Sequence, residues 1–197
     1  MLLVGGCGGS GPIETDETRT STAPIAQVLE LGKDDVALRA GEVASPVGFT
    51  PGVTFTVGTG WTSVHRYADA FDVGKADPAA DRPLVLVTFS APAEKDAAGA
   101  LDTIAATQAT GDVHKGNGTL LGGPAARLDV VGGSGPAYTS RDAGISLDAG
   151  PHQRLRFLAT DTPDGVLVVG VLVADGPWGA AGLAAADAVV ASLRATT

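Results

Sequence analysis

Two apolar runs joined by a tight turn constrain the fold of this chain more than any other feature. The runs Arg154–Thr160 and Val166–Ala174 flank the segment Asp161–Gly165, which contains Pro-Asp-Gly. Proline presets one turn dihedral and glycine tolerates a positive φ, so this pattern predicts an antiparallel β-hairpin. Any fold open to the chain must therefore contain antiparallel pairing.

Other segments have the periodicity of strands. Val53, Phe55 and Val57 alternate with threonines, which predicts a half-buried strand over Val53–Val57. Leu84–Phe89 is apolar on both faces and is expected in the middle of the sheet. Shorter strands are predicted at Ala37–Val43, Val64–Tyr67, Ala70–Val73, Thr119–Leu121, Ala125–Val131 and, weakly, Ile145–Leu147. A turn is predicted at Gly122-Gly123, and the rest of Gly132–Pro151 is predicted to be loop.

Two segments have helical periodicity. Glu94–Gln108 carries the apolar stripe Ala97, Leu101, Ile104 and Ala105. The last helix is predicted from Pro177 or Trp178 to Arg194, with the stripe Trp178, Ala181, Ala185, Val189 and Leu193. One helical turn is also predicted within Ile25–Leu31. The fold class is therefore α+β, an antiparallel sheet with two main helices packed against it.

The same patterns predict which side chains form the core. We expect twelve positions to be mainly buried, namely Val53, Phe55, Val57, Leu86, Phe89, Leu101, Ile104, Phe157, Val169, Val171, Val189 and Leu193.

The single cysteine lies near the amino terminus. Residues 1–7 read Met-Leu-Leu-Val-Gly-Gly-Cys, and an apolar run with two small residues before Cys7 resembles the lipobox of bacterial lipoproteins. The resemblance implies a thioether-linked diacylglycerol on Cys7, cleavage before it and a lipid anchor in the membrane. The six residues before Cys7 include no Lys or Arg, unlike a signal peptide. The alternative is a cytosolic tail with a chance cysteine.

Composition beyond Cys7 divides the chain into a tether and a domain. Gly8–Pro24 is rich in Gly, Ser, Thr and Pro without apolar periodicity. Residues 1–7 are therefore interpreted as a partial signal with lipobox, residues 8–36 as a flexible tether, and residues 37–197 as one α+β domain. A lipid on Cys7 would place the domain at the outer face of the cytoplasmic membrane or elsewhere in the cell envelope.

Charge and composition exclude several functions. The net charge is −9, whereas a nucleic-acid-binding surface needs clustered basic residues, so no nucleic-acid partner is expected. The single cysteine also excludes an intrachain disulfide and a cysteine-based zinc site. The histidines His65, His114 and His152 lack the spacing of metal ligands on one helix, so no metal or other cofactor is expected.

Individual motifs give no catalytic set. Ser134 lies in Gly-Gly-Ser-Gly-Pro, which has a proline where a nucleophile elbow has its second glycine. The glycine-rich stretch Gly116–Gly123 lacks the Lys-Ser/Thr of a phosphate-binding loop. Asp161 and Asp164 belong to the hairpin turn, and no glutamate follows at the spacing of a calcium loop.

Four aromatic side chains are the weak candidates for a ligand-binding site. Trp61, Tyr67, Phe71 and Trp178 either line an apolar pocket between sheet and helix or form the core itself. Because aromatic residues make up only 5% of the chain, the core interpretation is favoured.

Several stretches together resemble one known family. They are Phe49–Val57 followed by Gly60-Trp61, Gly122–Asp129, Arg154–Phe157, Val166–Val173, Trp178 and Val189–Leu193. In this order they resemble PsbP-like domains, especially those of actinobacterial lipoproteins and secreted proteins of the LpqN/LpqT type. The resemblance spans about Val36–Arg194. It implies a fold, an envelope location and binding or accessory roles, with no active-site residues to carry over.

The leading functional hypothesis is a cell-envelope lipoprotein with a non-enzymatic domain that binds a small apolar ligand or a partner protein. The alternatives are a hydrolase-type enzyme with a site assembled from dispersed residues, and a purely structural envelope protein. Two or more titratable side chains converging in a cleft would favour the enzyme, whereas a dry cavity between sheet and helix would favour ligand binding.

Overall fold

A large antiparallel sheet organises the computed structural model of the chain, which describes residues 25–30, 36–66, 69–76, 83–107, 112–131, 135–139, 146–149, 154–173 and 179–196. The helices in these ranges are α1 (Ala97–Thr107) and α2 (Gly179–Ser192). The strands are β1 (Gln27–Val28), β2 (Val36–Ala37), β3 (Gly41–Ala44), β4 (Val53–Val57), β5 (Trp61–Arg66), β6 (Ala70–Ala76), β7 (Pro83–Ser90), β8 (Asp112–Leu120), β9 (Gly123–Val131), β10 (Gly135–Thr139), β11 (Ser146–Ala149), β12 (Arg154–Thr162), β13 (Gly165–Val173) and β14 (Arg194–Ala195).

The strands form three sheets among the described residues. The large sheet has eight strands in the order β2-β5-β6-β7-β13-β12-β9-β8, and every neighbouring pair is antiparallel. A four-stranded sheet has the order β1-β3-β4-β14, and β10 pairs with β11. The predicted α+β class, with antiparallel sheets and two helices, is confirmed.

The predicted β12–β13 hairpin is confirmed, and it lies in the interior of the large sheet. The strands pair continuously from Arg154 with Val173 to Thr162 with Gly165, so that only Pro163 and Asp164 form the turn. On its other side β13 pairs with β7, which contains the predicted central run Leu84–Phe89. With a paired strand on both sides and core on both faces, β13 is buried at every position after Gly165.

Helix α1 covers one face of the large sheet, contacting β9, β12 and β13. Helix α2 and the four-stranded sheet cover the opposite face, and two apolar clusters fill the two interfaces. Of the twelve side chains expected in the core, eleven are buried and Ile104 is half-buried. The predicted stripe of α1 is confirmed, since Ala97 and Leu101 are buried and the other two pack against the same cluster.

Short strands account for several wrong predictions. Residues predicted as a helical turn in Ile25–Leu31 include the strand β1, and the Leu29 N–H donates to the Ala44 carbonyl at 3.0 Å. A segment of seven residues is too short to form a stable helix by itself, whereas strand pairing here is accompanied by burial of Leu29. The predicted strand Ala37–Val43 is broken before Gly41, whose φ of 135° separates β2 from β3.

Three further differences concern the carboxyl-terminal half. The described residues of Gly132–Pro151 form the hairpin β10–β11, so Gly135–Thr139 is a strand that was not predicted. The weak strand predicted at Ile145–Leu147 overlaps β11. The turn of the β8–β9 hairpin is Leu121-Gly122, one residue earlier than predicted. In α2 the buried stripe is Gly182, Ala186 and Val189, whereas the predicted stripe residue Ala181 is exposed. The helix also ends at Ser192, because Arg194 leaves it to pair with Thr54 of β4.

Candidate functional site: a groove at the end of the large sheet

A groove of about 670 Å³ opens where the β8–β9 and β12–β13 hairpins turn, beside the start of α1. This volume lies within the range of small-molecule sites, which are mostly apolar clefts of roughly 300–1,000 Å³. The described residues that line it are Ala97, Ala98, Asn117, Leu120, Leu121, Gly123, Pro124, Ala125, Ala126, Ala159, Thr160, Asp161, Thr162, Pro163 and Ala195. Most of these side chains are small and apolar.

A carboxylate of the β12–β13 hairpin holds the wall formed by α1 in place. The Ala97 N–H donates to Asp161 Oδ1 at 2.8 Å, and the Gly99 N–H donates to Asp96 Oδ1 at 2.7 Å. The first amides of a helix have no partners within the helix, and carboxylates satisfy them well. Asp161, which the sequence placed in the turn, therefore joins β12 to α1 across the groove.

The opposite wall is the tip of the β8–β9 hairpin. Leu121 and Gly122 have φ values of 53° and 75°, so both central residues of this two-residue turn are in the left-handed region. Such turns match the twist of a hairpin, but they favour Asn or Asp followed by Gly. A leucine at the first position is unusual, and its side chain is half-buried against the core.

Ionisable side chains are sparse in the described lining of the groove. Of the described lining residues only Asp161 is ionisable, and its Oδ1 already caps α1. A hydrolytic site needs a nucleophile, a base and an oxyanion donor within contact of one another. The described lining holds no such set.

The two aromatic candidates that the structure describes, Trp61 and Phe71, are not among the residues that line this groove. Trp61 and Phe71 are 2% and 1% exposed and belong to the cluster between the two sheets, where Phe71 stacks on Phe89 with ring centroids 4.5 Å apart. Tyr67 and Trp178 lie outside the described residues, as does Cys7. Their roles in ligand binding and lipidation stay predictions.

Of the three histidines, only the side chain of His114 is described. His114 is exposed on β8, and the side chain of His65 and all of His152 lie outside the described part of the chain. Within that part, no three His, Cys, Asp or Glu side chains are grouped so as to hold a metal ion. Ser134 likewise lies outside it.

A group of ion pairs on β9, β12 and α2 has a structural role. Asp129 accepts hydrogen bonds from Arg127 Nε at 2.6 Å and Arg156 Nε at 3.1 Å, and Arg156 also contacts Asp187 of α2 at 3.4 Å. Partial burial acts to raise the pKa of Asp129, but the hydrogen bonds and charges of the two arginines outweigh it and lower that pKa overall. The group lies outside the groove lining and links α2 to the sheet.

One buried carboxyl was missed by the sequence analysis. Asp72 of β6 is 6% exposed, its Oδ1 has no hydrogen-bond partner, and burial raises its pKa to about 7. It lies in register with Thr88 of β7, and Thr88 with Gly170 of β13. Because side chains alternate between the two faces along β6, Asp72 lies on the face of the sheet opposite to Phe71. From the sequence alone, that face is expected to be exposed to solvent.

No known protein family and no curated protein matches this chain. Among solved structures it is similar to LpqN of Mycobacterium tuberculosis, described as involved in cell envelope biogenesis, with 12% identity and a TM-score of 0.47 over 86% of this chain and 89% of LpqN. It is also similar to a protein from Bacteroides thetaiotaomicron, with 14% identity and a TM-score of 0.46 over 81% of this chain. The chain spans about half the length of that protein, covering 50% of it. Its function is therefore inferred from its own residues.

Proposed function

We propose that this chain is a lipid-anchored protein of the cell envelope whose PsbP-like domain binds a small apolar ligand in the groove without catalysing a reaction. The observation that carries the proposal is the groove itself, which combines a ligand-sized volume with a lining of Ala, Leu, Pro and Gly. The lipobox-like sequence at Cys7 supports the envelope location. Among the described helices, none has the length and apolar character needed to span a bilayer.

The energy available in such a groove comes from removing apolar surface from water. Each buried methylene contributes about 0.8 kcal/mol, and part of the sum is lost to the entropy of association. An aliphatic chain of about ten carbons is therefore expected to bind with a dissociation constant in roughly the micromolar to millimolar range. The small side chains on the walls let such a chain lie close to the backbone.

Filling the groove should abolish binding without unfolding the domain. Ala98 lines the groove on the exposed side of α1, so an Ala98→Trp side chain has room to occupy it at little cost to stability. We expect the affinity for the uncharged dye Nile red, measured by fluorescence titration and displaced by decanol, to fall at least about tenfold.

The matched control is Ala106→Trp, an exposed alanine on the same helix that is not among the lining residues, and it should bind as the wild type does. If Nile red shows no saturable binding to the wild type, or if Ala98→Trp binds it equally tightly, the groove is not the ligand-binding site. A partner protein inserting an apolar side chain would be blocked by the same substitution.

The envelope location depends on Cys7. A single acyl chain binds membranes only reversibly, with an association constant on the order of 10⁴ M⁻¹, whereas two or more chains anchor stably. In the full-length gene, Cys7→Ser should therefore move the protein from the membrane fraction to the aqueous fraction and abolish metabolic labelling with an alkynyl fatty acid. If the wild type takes up no label and fractionates with cytosol, the localisation is wrong.

A further inference from the structure

Leu121 is the one large apolar side chain that is both partly exposed and part of the described groove lining. The other leucine there, Leu120, is 2% exposed and belongs to the core. The apolar residues around them are alanines, prolines and a glycine, which offer little contact area each. A ligand lying in the groove therefore has Leu121 as its principal apolar contact.

The backbone of Leu121 is held in a conformation that leucine avoids. At a φ of 53° its Cβ crowds the carbonyl oxygen of the backbone, which costs about 1–2 kcal/mol for a residue other than Gly, Asn or Asp. Strained residues of this kind cluster at binding sites, where the position of the side chain matters more than the local energy. Asn-Gly would close the same hairpin without the strain.

Charge narrows the kind of ligand that fits. Among the described lining residues there is no Lys, Arg or His, and Asp161 is the only ionisable group. The chain as a whole carries a net charge of −9. The Ala97 and Gly99 amides at the start of α1 already donate to Asp161 and Asp96, and the described lining has no basic side chain. An anionic head group would therefore lose its hydration with little compensation, which is costly in an apolar site. An uncharged aliphatic molecule has no charged group that must lose its hydration on binding.

We propose that Leu121 determines the specificity of the groove by providing the side chain against which an uncharged aliphatic chain packs. This inference rests on the proposed function, since it needs the groove to bind a ligand. Leu121 belongs to the groove lining with its backbone in the left-handed region, and the described lining offers no basic side chain to an anionic amphiphile.

The test compares decanol with decanoate at pH 7.5, by displacement of Nile red from the wild type, Leu121→Asn and Leu121→Met. The wild type should bind decanol at least about tenfold more tightly than decanoate. Leu121→Asn should weaken decanol binding at least about fivefold while changing the free energy of unfolding by less than about 1 kcal/mol, because relief of the backbone strain offsets the lost packing of the leucine against the core. Leu121→Met, which keeps an apolar side chain, should bind within about twofold of the wild type.

Each of the other outcomes overturns either this inference or the proposed function. If Leu121→Asn binds decanol as tightly as the wild type while Ala98→Trp abolishes binding, the role of Leu121 is overturned and the proposed function stands. A joint loss of affinity and stability in Leu121→Asn shows a structural role and overturns the inference. Equal affinity for decanol and decanoate overturns the ligand class. No binding of any probe by the wild type overturns the proposed function itself.

Discussion

Gly170→Ala should destabilise the domain by about 3 kcal/mol, near the upper end of the cost of overpacking a core. Gly170 lies in β13 between β7 and β12. A Cβ added there would overlap Thr88 Oγ1 and lie 3.0 Å from Cε1 of Phe157. Both neighbours are buried and their strands are paired on each side, so neither can move away cheaply. The clash outweighs the gain of about 0.5–1 kcal/mol that alanine has over glycine in a strand.

Urea denaturation at neutral pH measures this effect, and Gly116→Ala is the matched control. Gly116 lies in β8, where an added Cβ meets nothing within 4 Å, and its substitution should change stability by less than about 0.5 kcal/mol. The double variant Thr88→Ala, Gly170→Ala should recover part of the loss, because it removes one of the two overlapping groups. A Gly170→Ala variant as stable as the wild type would show that the central strands can separate.

Asp72→Asn should make the domain more stable than the wild type above pH 7, by up to roughly 4 kcal/mol. The folded-state pKa of Asp72 is raised by burial from 3.8 to about 7. Between these values the folded protein keeps a proton that the unfolded chain releases, so the wild type loses stability as the pH rises from about 4 to 7 and levels off above it. Below about pH 4 both states are protonated and this loss disappears.

Urea unfolding of both proteins from pH 4 to pH 8.5 tests the prediction. The slope of about 1.4 kcal/mol per pH unit expected between the two pKa values should disappear in Asp72→Asn. Asp164→Asn, which changes an exposed carboxyl in a turn, should keep the wild-type profile. His65 of β5 is in register with Asp72, so His65→Gln is measured alongside as a second control. A wild-type stability that is constant from pH 4 to 8.5 would contradict the burial of an unpaired carboxyl.

Features with strong local patterns were predictable from the sequence. The β12–β13 hairpin follows from two apolar runs around Pro163-Asp164, and the alternation of Val53, Phe55 and Val57 predicts β4 with its buried face. These patterns work because period-two alternation and turn chemistry act over a few neighbouring residues. The α1 stripe is of the same kind, and all of these predictions were confirmed.

Short strands and exact turn positions needed the tertiary structure. The strands β1 and β14 have two residues each, and only pairing with β3 and β4 makes them strands. In the β8–β9 hairpin, Gly122 and Gly123 are equally good turn residues, so only the register of the strands identifies Leu121 as the strained position. Such choices depend on packing across the sheet, which a local pattern does not contain.

The sequence by itself determined the α+β class, the β12–β13 hairpin and eleven of the twelve expected core positions. Only the tertiary structure decided where the groove lies. The groove forms from separate stretches at the start of α1, the tips of two hairpins and Ala195, which lie far apart along the chain. The burial of Asp72 is likewise a property of what covers its face of the sheet, because an isolated strand would leave that carboxyl in water.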